Sequence, residues 1–330
     1  MINRRTFVAT TTGGLVTLAA RAGAQDARPS ARIGWLSPLS ASTSAHIQET
    51  LRERLQSLGR VEGRNLSIEL RYAEGDATRL PELAKELVRL KVDLIVACST
   101  PAALAAKAAT STIPIVMVMG GDPVARGLAA SMPHPGGNVT GVTALVQELS
   151  GKRIQLLKEA VPGLARVAFL SDPAFPDNQP SVEALAQGAR TLGVRLRVLE
   201  IRQPAEIEKS FATIAREHDD ALMVEQAVMF NEHRRQIVEL AARGRLPAMY
   251  GLREFVDAGG LMYYGASLQD MYSRAAILVD KVLRGEKPGD LPIEQPTKFE
   301  LWINLRAAKT LGLTIPQALL LRADHVIESP

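Results

Sequence analysis

A single cysteine, Cys98, in 330 residues leaves this chain without an intramolecular disulfide to staple it. Aromatic side chains are scarce too, at 4%, so where each one falls is informative. No apolar run reaches the ~18 residues that a membrane-spanning helix needs, which predicts a soluble product. The recurrent catalytic signatures are missing: there is no Gly-x-Ser-x-Gly elbow, no His-Glu-x-x-His, no Walker loop and no Gly-x-Gly-x-x-Gly. The five histidines (His46, His134, His218, His233, His325) never pair at metal-ligand spacing. Cys98 ends an apolar run with no motif to supply an activating base, so it reads as a buried thiol and not a nucleophile. No metal, no cofactor and no catalysis are expected, although a secreted α/β enzyme stays open as a minor alternative.

What is present begins at the N-terminus. Arg4-Arg5 precedes a mildly apolar stretch from Phe7 to Ala20, and Ala22-Gly23-Ala24 offers small residues for a signal peptidase. Residues 1–24 read as an export signal cleaved after Ala24. The arginine pair, the Thr and Gly in the apolar stretch and Arg21 near the cut favour the twin-arginine route over the general secretory one. Either route takes the mature chain out of the cytoplasm. No cysteine follows the apolar stretch, so no lipid anchor is expected there. Cleavage removes Arg4, Arg5 and Arg21 and no acid, leaving 36 basic against 35 acidic side chains. A net charge this close to zero gives no reason to expect a nucleic-acid partner.

The mature chain alternates apolar runs with amphipathic stretches. Ile33–Ser37, Leu66–Tyr72, Leu94–Cys98 and Ile115–Met119 read as strands. Between them, Ile47, Leu51, Leu55 and Leu58, and then Leu80, Leu83, Leu87 and Leu90, recur at helical spacing. Ser99-Thr100-Pro101 opens a third helix with a capping hydroxyl and an early proline. A Gly- and Pro-rich loop runs from Gly120 to Gly141, after which the pattern restarts. Strands at 167–170, 194–201, 221–224 and 248–250 alternate with helices at 182–192, 204–217 and 231–243. Further on come a strand between Gly259 and Gly265, a helix at 269–284, an extended stretch at 288–296 and a helix at 299–311 ended by Gly312. Alternation of this kind demands parallel sheets with right-handed crossovers. Two such series predict an α/β protein of two doubly wound lobes, with the tail crossing back between them.

In open α/β sheets ligands sit beyond the carboxyl ends of the strands. Those ends supply Ser37, Ser99, Thr100, Asp122, Asp172, Gln226 and Tyr250 as candidate ligand-binding residues. Hydroxyls and helix N-termini there suit a carboxylate, while Asp122, Asp172 or Glu225 can answer an ammonium group. Trp35, Phe175, Tyr250, Tyr263 and Tyr264 fall at or near strand ends, the pattern of a flat-walled cleft.

Several blocks in order are then recognisable: Ile113-Pro114-Ile115-Val116, Asp122-Pro123-Val124, Gly127-Leu128, Pro135-Gly136-Gly137-Asn138-Val139-Thr140-Gly141-Val142, Gly151-Lys152-Arg153, Gly259-Gly260-Leu261-Met262, and above all Gln295-Pro296-Thr297-Lys298-Phe299-Glu300-Leu301 with Ile303-Asn304-Leu305 and Leu311-Gly312-Leu313-Thr314-Ile315-Pro316. Over nearly the whole mature chain this resembles the ABC-transporter substrate-binding proteins of the tryptophan/tyrosine-uptake type, with a type 1 periplasmic binding fold. The resemblance implies lobe 1 at 31–143 plus 265–289 and lobe 2 at 144–264 plus 290–330. Their hinge would cross near Val142-Thr143, near Tyr264-Gly265 and near Pro288 to Leu291. It further implies a monomeric periplasmic receptor that captures a small carboxylate-bearing solute, an aromatic amino acid or aromatic acid, and presents it to a permease and its ATPase. Presentation to a membrane sensor kinase is the alternative partner. A repressor of related architecture is excluded by the export signal and by the lack of a helix-turn-helix before the first strand. Tyr263-Tyr264-Gly265-Ala266 departs from the Ser-Tyr-Gly-Pro that the family often carries, which leaves the ligand open.

Overall fold

The computed structural model describes residues 30–144 and 146–328. The export signal and its cleavage site lie outside the described residues.

The first sheet is built from β1 (Ala31–Ser37), β2 (Leu66–Tyr72), β3 (Leu94–Cys98), β4 (Ile115–Gly120) and β5 (Val139–Thr143). Its order is β2-β1-β3-β4-β5 and every pairing is parallel. The crossovers are α1 (Ala41–Ser57), α2 (Leu80–Arg89) and α3 (Thr100–Ala109). The five continuously apolar residues of β3 are explained by helices on both faces. Leu94, Val96 and Cys98 pack into a core with Ile47, Leu51 and Leu55 of α1, while Ile95 and Ala97 pack on the other side with Leu83 and Leu87 of α2. Each fully buried leucine of the α1 stripe is worth roughly 1.5–3 kcal/mol, which outweighs the weak intrinsic preference of a helix this polar.

The second sheet follows from α4 (Val146–Ala160), β6 (Arg166–Ser171), α5 (Asn178–Thr191), β7 (Arg195–Glu200), α6 (Glu206–Arg216), β8 (Ala221–Val224), α7 (Val228–Glu232), α8 (Arg234–Arg243), β9 (Ala248–Tyr250), α9 (Glu254–Asp257) and β10 (Met262–Ala266). The chain then returns to the first lobe as α10 (Leu268–Leu283), whose Met271, Tyr272, Ala275, Ala276 and Val279 join the core beneath β1 and β3. It ends in β11 (Phe299–Asn304), α11 (Leu305–Leu311), α12 (Gln317–Leu320) and β12 (His325–Ile327). The order is β12-β11-β10-β9-β8-β6-β7. All pairings are parallel except β10 with β11, where the excursion through α10 turns the chain round.

The chain passes from the first sheet to the second after β5, sends α10 back onto the first-sheet core and rejoins the second sheet at β11. β10 stays paired to β11 through Ala266. The crossing strands hold one another. Thr143 N donates to Glu294 O at 2.9 Å, Glu294 N to Gly141 O at 2.8 Å and Ser267 N to Lys298 O at 3.0 Å.

Two expectations are corrected. Residues 299–304 are a strand, not the start of a helix at 299–311. Phe299, Leu301 and Ile303 alternate, and Asn304 caps the helix that follows by accepting from Arg306 N and Ala307 N. The helix expected over 231–243 is two helices broken at His233, so that α7 turns separately toward the first lobe. The patterning also passes over β5 at the end of its Gly/Pro-rich loop, as well as α4, α9 and β12.

Candidate functional site

The carboxyl ends of β1, β3 and β4 on one lobe face those of β6, β8 and β9 on the other, and polar contacts bridge the gap. Thr100, at the first position of α3 and 1% exposed, donates its hydroxyl to Asp177 Oδ2 at 2.7 Å and accepts from Gly121 N at 2.9 Å. Arg126 Nε reaches Asp177 Oδ1 at 3.1 Å. Glu232 at the end of α7 accepts from Ser40 N at 2.9 Å and from the Thr43 hydroxyl at 3.4 Å, at the N-terminus of α1. His46 Nε2 lies 3.3 Å from Glu254 Oε1. Met119, next to last in β4 at φ +62°, packs against the cores of both lobes. The lobes are closed on each other.

Backbone strain sits at the same rim. Ser99 adopts φ +105°, ψ 164°, a region that side chains rarely enter. Its hydroxyl is buried without a partner, and no side chain caps the first turn of α3. On the facing rim the orphaned buried atoms after β8 and β9 are all acceptors: Gln226 Oε1, Asn231 Oδ1 and Glu254 Oε2. Gln226 gives its Nε2 to Gly251 O, which fixes the amide with its oxygen unpaired. Glu225, 4% exposed, accepts from Asp172 N at 2.7 Å and Asn178 Nδ2 at 3.0 Å. Burial pushes its carboxyl up to about 7, with nearby Asp172 and Asp177 adding to the rise. Burial also raises Asp172, whose Oδ1 accepts from Ala174 N at 2.9 Å.

The expected residues fall into two groups. Ser99 and Thr100 stand at the β3–α3 junction and Asp172 and Gln226 just after β6 and β8, and of the four Thr100 makes a hydrogen bond across the gap, to Asp177. Ser37 stands beside them but is spent on the β1–α1 turn, pairing with the Ser44 hydroxyl at 3.1 Å and accepting from Leu39 N at 3.1 Å. Asp122 is exposed and turned to its own loop, where Oδ1 accepts from Val124 N at 2.9 Å and Ala125 N at 3.1 Å. Among the aromatics, Phe175 is half-buried in the β6–α5 turn beside the second-lobe core. Trp35 stacks on Tyr272 with centroids 5.8 Å apart, and Tyr250 stacks on Phe255 at 4.6 Å, both inside their lobes. Tyr263 is buried with its hydroxyl on Ala266 O at 2.8 Å, while Tyr264, half-buried, stacks on Phe299 at 6.3 Å. The residues that reasoning along the chain misses are Arg126, Asp177, Asn231, Glu232 and Glu254. Asp177 just before a helix looks like an ordinary cap, and nothing local marks the others. Among the described residues no group of three or more His, Cys, Asp and Glu is placed to hold a metal, and no helix is long and apolar enough to cross a membrane.

The fold has known relatives. A family model for ABC transporter substrate binding proteins matches residues 32–327. A tyrosine-binding protein of Clostridioides difficile is 27% identical over 259 residues, which is 78% of this chain and 74% of that protein. The solved ABC domain of Streptococcus pneumonia in complex with L-Trp is similar at a TM-score of 0.84 and 26% identity, covering 90% of this chain and 99% of that one. A conserved domain protein from Vibrio cholerae gives 0.85 at 26% identity with the same coverage.

Proposed function

This chain belongs to the ABC transporter substrate-binding protein family, and from that premise we propose that it is the periplasmic receptor of an importer. It captures an aromatic amino acid or aromatic acid between its two lobes and delivers it unaltered to a membrane permease. The observation that carries the proposal is the closed gap itself, where strand ends from two separate sheets meet through Thr100, Asp177 and Arg126. A site assembled from both lobes exists only when they close, so a solute that touches both shifts the balance toward the closed form by its differential affinity. The uncapped first turn of α3, with the Ser99 hydroxyl beside it, suits the solute's carboxylate. The tyrosine- and L-Trp-binding relatives support an aromatic body for the solute. The two lobes move as the units around each sheet, with the crossings at Thr143, Ser267 and Leu291–Lys298 as hinge.

Thermal unfolding of the exported protein with L-tryptophan, L-tyrosine, L-phenylalanine and their deaminated acids tests this. A true ligand at a hundredfold its Kd adds about 2.7 kcal/mol and is recovered chemically unchanged. Failure of every aromatic carboxylate to stabilise the protein, or recovery of an altered compound, removes the reading.

A further inference from the structure

A cavity of about 450 Å³ is lined by the second lobe alone, apart from the interlobe gap. Its size is that of a small-molecule site. Val238 and Ala241 of α8, Leu246, Val256 of α9, Leu261 and Ala307 of α11 give it apolar walls. Tyr250 lines it too, although the residue is only 1% exposed. The ring is fixed on one side by stacking on Phe255, with centroids 4.6 Å apart. On another it passes Gly260, where a Cβ would stand 2.5 Å from it, so a glycine is what lets the ring lie there. The Tyr250 hydroxyl makes no hydrogen bond among the described residues, whereas that of Tyr263 donates to Ala266 O at 2.8 Å. Burial alone raises its proton affinity, with no hydrogen bond offsetting the rise.

The other polar groups around the cavity are engaged. Asp257 pairs with Arg253 at 3.1 Å, and Arg306 Nε donates to Glu328 O at 2.7 Å. The Thr310 hydroxyl donates to Arg306 O at 3.0 Å, and Asn304 Oδ1 caps α11. An ion brought between these walls would shed its hydration and find no free counter-charge, which is costly. A buried hydroxyl, by contrast, is almost always hydrogen-bonded, and Tyr250 can both donate and accept. The walls therefore ask for an apolar body, and Tyr250 asks for one oxygen.

We propose that this cavity is a second binding site, for a neutral apolar molecule with a single hydroxyl, a phenol or an apolar alcohol, hydrogen-bonded to Tyr250. The site is separate from the solute reading above. Its walls come from one lobe, so it does not require the lobes to close.

The test is an NMR titration of the isotope-labelled exported protein with p-cresol and with toluene, which lacks the hydroxyl. Both compounds are expected to shift the amides of Gly259, Gly260 and Ala307, and p-cresol to bind about fivefold tighter. Tyr250→Phe should erase that advantage, still bind toluene, and melt at nearly the same temperature, since no protein partner is lost. Ala307→Leu, which fills the cavity, should lose both compounds. Shifts confined to Thr100 and Gly121 at the interlobe gap, binding of neither compound, or equal binding of the two overturns the site. So does an undiminished p-cresol advantage in Tyr250→Phe, or a marked fall in its melting temperature, which would give the hydroxyl a partner inside the protein. If Ala307→Leu does not fold, Tyr250→Phe decides. None of these results touches the receptor reading.

Discussion

The two rims of the gap are built from opposite chemistry. The first lobe offers donors: Ser40 N, the Thr43 and Thr100 hydroxyls, Arg126 and His46 all face across. The second lobe answers with the carboxylates of Asp177, Glu232 and Glu254. Arg234 reaching Thr43 at 3.4 Å runs the other way. The difference teaches that closure is itself a complementary docking, in which lobe-two acids seat on or beside the N-termini of lobe-one helices.

The most severe way to break the comparison is through the cores behind each rim. Trp35→Ala and Phe230→Ala each remove a fully buried ring from one lobe and should cost about 3–5 kcal/mol. Hydrogen exchange should show protection lost in β1 and β3 for the first and in β8 and β9 for the second. Loss spread evenly over both sheets would mean that the lobes unfold as one unit.

The acid rim has its own pH signature. Burial in the closed form raises Glu225 from 4.5 to about 7, so the folded protein in that form holds a proton there that the unfolded chain releases. The stability this contributes is fully present below about pH 4.5 and is lost as pH rises through about 7, by at most about 3 kcal/mol. Denaturant titrations at pH 5 and pH 8 should show that fall in the unaltered protein and a much smaller one in Glu225→Gln.

At the seam, Gly121→Ala places a Cβ 2.4 Å from Asp177 Oδ1. Overlap of that kind costs about 1–3 kcal/mol, here charged to the closed state alone, so solute affinity should drop tenfold or more with the ligand-free melting temperature little changed. Removing one charge there, as in Asp177→Asn, should weaken solute binding less, by about fivefold, with a shallower salt dependence, because Arg126 is partly solvated. The smallest effect is expected at Asp122→Ala. Losing its turn contacts should cost under about 1 kcal/mol, with affinity changed less than threefold. A large loss there would place Asp122 in the site after all.

Much of the architecture can be read along the chain because it repeats locally. Strand–helix alternation, the unbroken apolar run of β3 and the Ile47-Leu51-Leu55 stripe each report the burial they go on to have. The tail at 299–304 misleads because Phe299, Leu301 and Ile303 can serve a strand or a helix, and only pairing with β10 decides. Candidate residues are legible where a strand end meets a helix start, as at Ser99 and Thr100. Asp122 shows the limit: a strand-end acid looks the same in sequence whether it faces a ligand or caps its own turn, and only the fold shows its Oδ1 accepting from Val124 N and Ala125 N.

The amino-acid sequence by itself determined two α/β halves, their covered parallel sheets and the family, since periodicity and ordered motifs are properties of neighbouring residues. Only the tertiary structure decided which polar groups confront each other. Thr100 and Asp177 are 77 positions apart and Ser40 and Glu232 are 192, so their pairing is set by how the lobes close. An orphaned oxygen such as Asn231 Oδ1 is likewise defined by what does not reach it in space, which no spacing along a chain records.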